Sequence, residues 1–224
     1  MYTVYENTII YVLFQMKISN DELSVKAYHK VKNMIVSGKL QLGQKIVQDK
    51  LAEKLGISRT PLRSALQMLE AESLVESLPR KGMAVKIFSD KEVLEIYDCR
   101  IALESMAVKT FVKVSVKSDI EKLYNLFKPF LGSKDIDVMK YKKADSLFHE
   151  MIIKKSGNEF LYKLFNRGNL LICSDLIGLV RSPQETLSEH MDIIEAIEEK
   201  NSKLAEDLIK EHLEKSKKLI SRSF

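Results

Sequence analysis

Apolar residues recur at helical spacing along most of the chain, and short β-type runs interrupt that rhythm once. Ser19-Asn20-Asp21-Glu22 reads as a capping box, and Val25, Tyr28, Val31 and Ile35 give the helix after it one face, with Gly38 as its stop. Leu40 to Gln44 reads as a loop. Lys50 to Leu55 is a short helix, closed by Gly56 at the positive φ glycine takes easily. Ser58 is a good N-cap for the next helix, which runs to about Glu72. Pro61 falls in its first turn, where the missing N–H costs little, and Leu62, Leu66 and Leu69 line its inner face. Leu74–Leu78 and Met83–Ile87 are β-prone and flank the turn signal Pro79-Arg80-Lys81-Gly82. A short helix, a tight turn, a second helix and a hairpin make a winged helix-turn-helix.

Ser89-Asp90-Lys91-Glu92 is a second capping box, so the linker after the wing is only a residue or two. From there the pattern is helical throughout. The predicted helices are Asp90–Val114, Asp119–Leu131, Ile136–Lys155, Glu159–Val180, Pro183–Lys200 and Ser202–Ser221. Ser118 with Glu121 and Ser182 with Glu185 are expected to cap two of them, and Gly157 to end another. Gly168 and Gly178 weaken the fourth or allow a kink. The expected fold is mostly α, a winged helix-turn-helix followed by an all-α antiparallel bundle. The expected domains are an extension of unknown role at 1–18, a DNA-binding domain at 19–88, and an effector-binding and dimerisation domain at 89–224.

Charge sharpens this division. The 224 residues carry a net charge of +5. Up to Phe88 there are 13 Lys/Arg against 8 Asp/Glu, and from Ser89 onward 23 of each. The whole excess therefore lies with the helix-turn-helix, as a polyanion-binding module beside a neutral domain requires. Cys99 and Cys173 fall in apolar helical patterns, which suits buried thiols in a reducing cytoplasm. No apolar run approaches the ~20 residues of a membrane span. The run Thr8 to Phe14 lacks a positive flank ahead of it, which argues against a signal peptide. One reading takes Met16 as the natural start.

Candidate chemistry concentrates in two places. Arg59 and Arg63 lie one turn apart near the start of the second helix of the motif, where arginine can fork to guanine or grip phosphate. Arg80, Lys81 and Gly82 at the wing tip suit phosphate, although a solvated hairpin tip would look the same. In the helical region, Asp145 and His149 are one turn apart. His190 shares a face with Leu187, Ile194 and Ile197, and His212 one with Ala205, Leu208 and Leu219. Three imidazoles and a carboxylate thus point into one bundle. Each histidine alone reads as a hydrogen-bonded core residue. Together they suit a divalent ion, Zn²⁺ or Ni²⁺ among the first-row metals. His29, beside Lys30 and Lys32, reads as solvated or phosphate-facing. Arg100 reads equally well as an ion pair with Glu104 or as a pocket cation.

The stretch Leu51-Ala52-Glu53-Lys54-Leu55-Gly56-Ile57-Ser58-Arg59-Thr60-Pro61-Leu62-Arg63-Ser64-Ala65-Leu66 resembles the signature of GntR-family transcription regulators. It departs at Ser64, usually Glu, and at Asp49, where some members carry a DNA-holding arginine. Lys50 stands next door. The resemblance implies DNA contacts from Lys50, Ser58, Arg59, Thr60 and Arg63, with Arg80, Lys81 and Gly82 from the wing. Arg100 to Glu104, Asp145 to His149, Ser156-Gly157-Asn158, Glu189 to Ile193 and Ala205 to His212 resemble the FCD effector domain of the FadR-like branch, with a helix count like that of the VanR-like subgroup. In metal-binding members the positions of Asp145, His149, His190 and His212 are ligands, and the same resemblance offers Arg100, Asn169 and Arg181 to an effector. It implies a cytoplasmic homodimeric regulator, expected to repress, that senses a small carboxylate. The competing readings are a metal-dependent hydrolase or lyase, opposed by the lack of an evident nucleophile or general base, and a regulator for which the metal is itself the signal.

Overall fold

The computed structural model describes residues 21–221, so the 1–18 extension and Ser19 and Asn20 of the expected capping box lie outside the described residues. The chain divides into two compact units between Ile87 and Phe88.

In the first unit, helix α1 (residues 21–36) is followed by strand β1 (Lys45–Ile46), helix α2 (Gln48–Leu55), helix α3 (Arg59–Ala71) and strands β2 (Val75–Leu78) and β3 (Gly82–Val85). The strands form an antiparallel sheet in the order β1-β3-β2, with Glu76 opposite Ala84 and Lys45 opposite Ala84 on the other side. The α1 face differs by a step from expectation. Ser24, Ala27, Tyr28, Val31 and Ile35 are buried, while Val25 is 44% exposed. Gly56 takes φ 67° and ends α2. Leu62, Ala65, Leu66 and Leu69 bury one side of α3 completely. Ser58 stands at the N-cap, but its hydroxyl makes no capping hydrogen bond. In the wing, Lys81 N–H donates to the Leu78 carbonyl across Pro79 and Arg80, with Arg80 at φ 60°. Proline second and a positive φ third is the requirement of a type II turn.

The second unit holds helices α4 (Asp90–Val114), α5 (Lys117–Phe127), α6 (Val138–Lys154), α7 (Glu159–Arg167), α8 (Leu170–Ile177), α9 (Pro183–Glu198) and α10 (Ser202–Ser221). A 3₁₀ turn, Lys128–Phe130, extends α5. Helix α10 packs along α4, and α5, α6, α8 and α9 complete the bundle. Its core is built from Phe111, Phe127, Tyr141, Phe148 and Phe165 with aliphatic residues of every helix. The capping boxes at Ser89/Glu92 and Ser182/Glu185 form. The third does not. Helix α5 starts earlier, and Val116 N–H, its N-cap amide, is taken by the Asp119 carboxylate instead of a Ser118–Glu121 box.

The expected fourth helix is two helices. Asn169 at φ 48° breaks it, and Gly178 at φ 96° ends α8 three residues before Arg181. A left-handed residue cannot continue a right-handed helix, so the chain turns there. Cys173 is buried, but Cys99 is exposed on the outer side of α4, against expectation. Leu219 is also exposed; the inner face of α10 runs through Ala205, Ile209, His212, Leu213 and Ser216. Among the described residues no helix is long and apolar enough to cross a membrane.

Candidate metal centre and DNA-reading surface

Asp145, His149, His190 and His212 come together at the middle of the bundle. One ligand atom from each lies within 4.8 Å of every other. Helix α6 supplies the first two, one turn apart, α9 the third and α10 the fourth. All three histidines are buried, while Asp145 keeps a 20% exposed side chain.

The protons of the three rings follow from their neighbours. His149 Nδ1 is 2.5 Å from Glu104 Oε2, and His212 Nδ1 is 2.8 Å from Glu189 Oε2. An ionised carboxylate only accepts, so both Nδ1 atoms carry hydrogen. Glu104 is ionised. Burial alone would raise its pKa, but Arg100 and His149 outweigh that and lower it to about 2. Burial likewise opposes ionisation of Glu189, and His212, Arg181 and Lys215 overcome it. For His190 the proton follows from a chain of hydroxyls. Thr186 Oγ1 donates to the Ser182 carbonyl at 3.2 Å, which can only accept. Tyr141 Oη therefore donates to Thr186 at 2.8 Å, and accepts from His190 Nδ1 at 3.0 Å. Burial raises the Tyr141 pKa and keeps its proton in place.

With Nδ1 of each ring turned to its outer partner, Nε2 is the nitrogen that faces inward, and it is a free lone pair in the neutral tautomer. His190 Nε2 is buried with no hydrogen-bond partner, and Asp145 Oδ1 is 3.2 Å away. Burial lowers the His190 pKa to about 4, against the pull of Asp145. Four potential ligand atoms thus face one another within 4.8 Å, one of them a buried nitrogen without a hydrogen-bond partner, an arrangement that a cation resolves. Each ring is also fixed by a partner on its far nitrogen, as metal-bound histidines are. Phe127 stacks on His190 at 4.5 Å and Phe148 meets it edge-on at 4.8 Å, which locks that ring. The donor set fits a divalent first-row ion.

A cavity of about 30 Å³ opens beside Asp145, His149 and His212. At roughly 10–15 Å³ per water this holds about two water-sized groups. Arg100 lines it: Nε is 2.7 Å from Glu104 and Nη1 donates to Ser174 at 2.7 Å, while Nη2 is buried without a partner. Arg100 thus makes the expected ion pair with Glu104 and also lines the cavity. Arg181 also lines the cavity and forks onto Glu189 at 2.7 and 2.9 Å. Asn169 does not line it; it is buried at the break between α7 and α8. Tyr97, Lys142 and Asp175 stand in the wall as well, and burial raises the Asp175 carboxyl. Sequence reasoning missed Glu189 and Tyr141 as ring-orienting groups and saw Glu104 only as a partner for Arg100. Glu189 adjoins His190 in sequence, but nothing in the spacing pairs it with His212.

In the first unit, Lys50, Ser58, Arg59, Thr60, Arg63, Arg80, Lys81 and Gly82 are all exposed. Arg59 is paired with Asp49, a contact between the starts of α3 and α2. His29 is exposed on α1.

Residues 23–85 match the family described as bacterial regulatory proteins, gntR family, and residues 95–215 match the FCD domain. An uncharacterised HTH-type transcriptional regulator of Bacillus subtilis, YdhC, is 31% identical over 83% of this chain and 85% of its own length. The gluconate operon transcriptional repressor of the same organism is 28% identical over 66% of this chain and 61% of its own. Among solved structures, Escherichia coli McbR/YncC superposes with a TM-score of 0.69 at 21% identity, over 90% of this chain and 98% of that one. The metal-free FCD domain of TM0439, described as a putative transcriptional regulator, superposes with a TM-score of 0.51 at 22% identity, over 61% of this chain and 96% of that one.

Proposed function

Since the chain belongs to the GntR family of bacterial regulatory proteins and carries an FCD domain, we propose that it is a homodimeric repressor whose grip on operator DNA is set by a small carboxylate bound at a divalent metal. The observation that carries this reading is the set of inward-facing Nε2 atoms with Asp145, opening onto a cavity of carboxylate size. Asp145, His149, His190 and His212 would hold the ion, which when bound supplies a Lewis-acid position open to an effector oxygen. Arg100 Nη2 is the unpartnered donor for the second oxygen, and Arg181 adds a second cation to the wall. One relative is named as the repressor of a gluconate operon, and gluconate is a small organic acid. YdhC and the gluconate operon repressor are both transcriptional regulators, and the family is not one of enzymes.

On the DNA side, Arg59 and Arg63 read bases while Ser58, Thr60 and Lys50 hold phosphate at the uncapped start of α3, where the helix dipole favours an anion. The wing residues Arg80 and Lys81, with Gly82, add phosphate affinity. A homodimer protects a pseudo-palindrome of two half-sites. Replacing Arg63 with alanine is expected to cost about 1–3 kcal/mol per half-site on a duplex the protein selects from a random pool, whereas Lys81→Ala, lost from both protomers, lowers the salt slope by about two and leaves base preference intact. Unchanged affinity in Arg59→Ala and Arg63→Ala alike would remove α3 from base reading.

Coupling requires that the effector favour one arrangement of the DNA-binding units over another. Small carboxylic acids can be screened by thermal shift on the metal-loaded chain. The acid that stabilises it should change affinity for the selected duplex about 5- to 150-fold. Asp145→Ala should keep the duplex and lose that response. An Asp145→Ala protein as responsive as wild type would place the effector elsewhere.

A further inference from the structure

Four lysines of the first unit converge on one cleft. It has a volume of about 210 Å³ and lies where the end of α1, β1 and α2 meet. Lys39, Lys45, Lys50 and Lys54 line it, with Leu40 and Ile46 among the apolar residues beneath them. No acidic residue lines it. The four lysines are exposed, and among the described residues none of them is in an ion pair. Many other lysines of the chain are paired, as Lys32 is with Glu72 and Lys217 with Asp98. Lys50 and Lys54 are one helical turn apart, a like-charge spacing that repels unless an anion lies between them.

We infer that this cleft grips the phosphate backbone of duplex DNA flanking the half-site that α3 reads. A site for a small anion presents a few buried, directional donors. Here the donors are exposed ammonium groups on flexible stems laid over an apolar floor, which suits a repeating polyanion instead. Its position agrees. Lys50 is on α2 beside Asp49, and the Asp49 carboxylate holds Arg59 of α3, so the cleft borders the reading surface. The cleft extends contact beyond the bases, and the inference rests on the DNA-binding reading given above.

The test uses the full-length protein and a duplex selected from a random pool, prepared with the same core at about 20 and about 40 base pairs, the shorter holding two half-sites a turn apart. The variant is Lys39→Gln, Lys45→Gln and Lys54→Gln combined, which leaves Lys50 and α3 unchanged. On the long duplex it should bind about 10- to 100-fold more weakly, with a salt slope shallower by up to about five, since the dimer loses three lysines from each protomer. On the short duplex the two proteins should bind equally. Equal binding on the long duplex, or an equal loss on both lengths, overturns the inference while leaving base reading by α3 in place. Saturable binding of inorganic phosphate alone at the cleft, seen as amide shifts at Lys39, Lys45 and Lys54 below about 1 mM, would mark a small-anion site and overturn it too. A pool that yields no preferred sequence overturns the DNA reading itself, and this inference with it.

Discussion

Glu104→Ala is expected to destabilise the helical unit by about 3–5 kcal/mol, the cost of removing one partner from a buried ion pair. The Glu104 side chain is 2% exposed and serves two groups at once. One oxygen is 2.7 Å from Arg100 Nε and the other 2.5 Å from His149 Nδ1. Without it the Arg100 guanidinium stays buried and unneutralised, and Nη2 already lacks a partner. His149 at the same time loses the acceptor that fixes its tautomer. Urea unfolding followed by circular dichroism measures the loss. Glu104→Gln keeps the shape and can still accept from His149, so it should cost less in packing but still weaken metal binding, by about 10- to 100-fold. A loss under about 1 kcal/mol in Glu104→Ala would mean that Arg100 finds another counter-charge and that the orienting role assigned to Glu104 is wrong.

Stripping the metal is the second large effect expected. An ion held at a hundred to a thousand times its dissociation constant stabilises the folded state by about 2.7–4.1 kcal/mol. For a helical unit of this size that is a fall in Tm on the order of 10 °C when chelator is added. The physical cause is local: with no ion, His149, His190 and His212 crowd the Asp145 carboxylate and the buried His190 Nε2 has no hydrogen-bond partner. His212→Ala should melt near the chelated wild type and show no further response to chelator. A wild type indifferent to chelator, with a melt equal to that of the metal-supplemented protein, would demote the cluster to a set of polar core residues.

How much of this could be read from the chain depends on the range of the interaction. Local signals served well. The positive φ of Gly56, the capping boxes at Ser89 and Ser182, and the leucines of α3 each act within a turn or two. The errors came where tertiary context outvoted a local pattern. Strand β1 is two residues long, too short to show alternation, and exists because it pairs with β3. The helix expected from Glu159 to Val180 breaks at Asn169; Gly168 was visible as a weak point, but not the left-handed turn after it. Cys99 shares an apolar stretch with buried neighbours yet faces outward. At the centre, the cluster of Asp145, His149, His190 and His212 was legible because the histidines sit on the apolar faces of amphipathic helices, Asp145 lies one turn from His149, and the family resemblance marks all four positions. Their orienting groups were not. Glu104 reaches His149 across 45 positions, Tyr141 reaches His190 across 49, and Glu189 reaches His212 across 23. Helical spacing carries no information over such separations.

The metal content of protein purified without chelator is the most direct check on the centre. Elemental analysis by mass spectrometry should find close to one divalent first-row ion per wild-type chain, and close to none in His190→Ala whose helical circular dichroism is retained. Wild-type protein free of metal, or His190→Ala carrying as much as wild type, would contradict a metal centre built from Asp145, His149, His190 and His212.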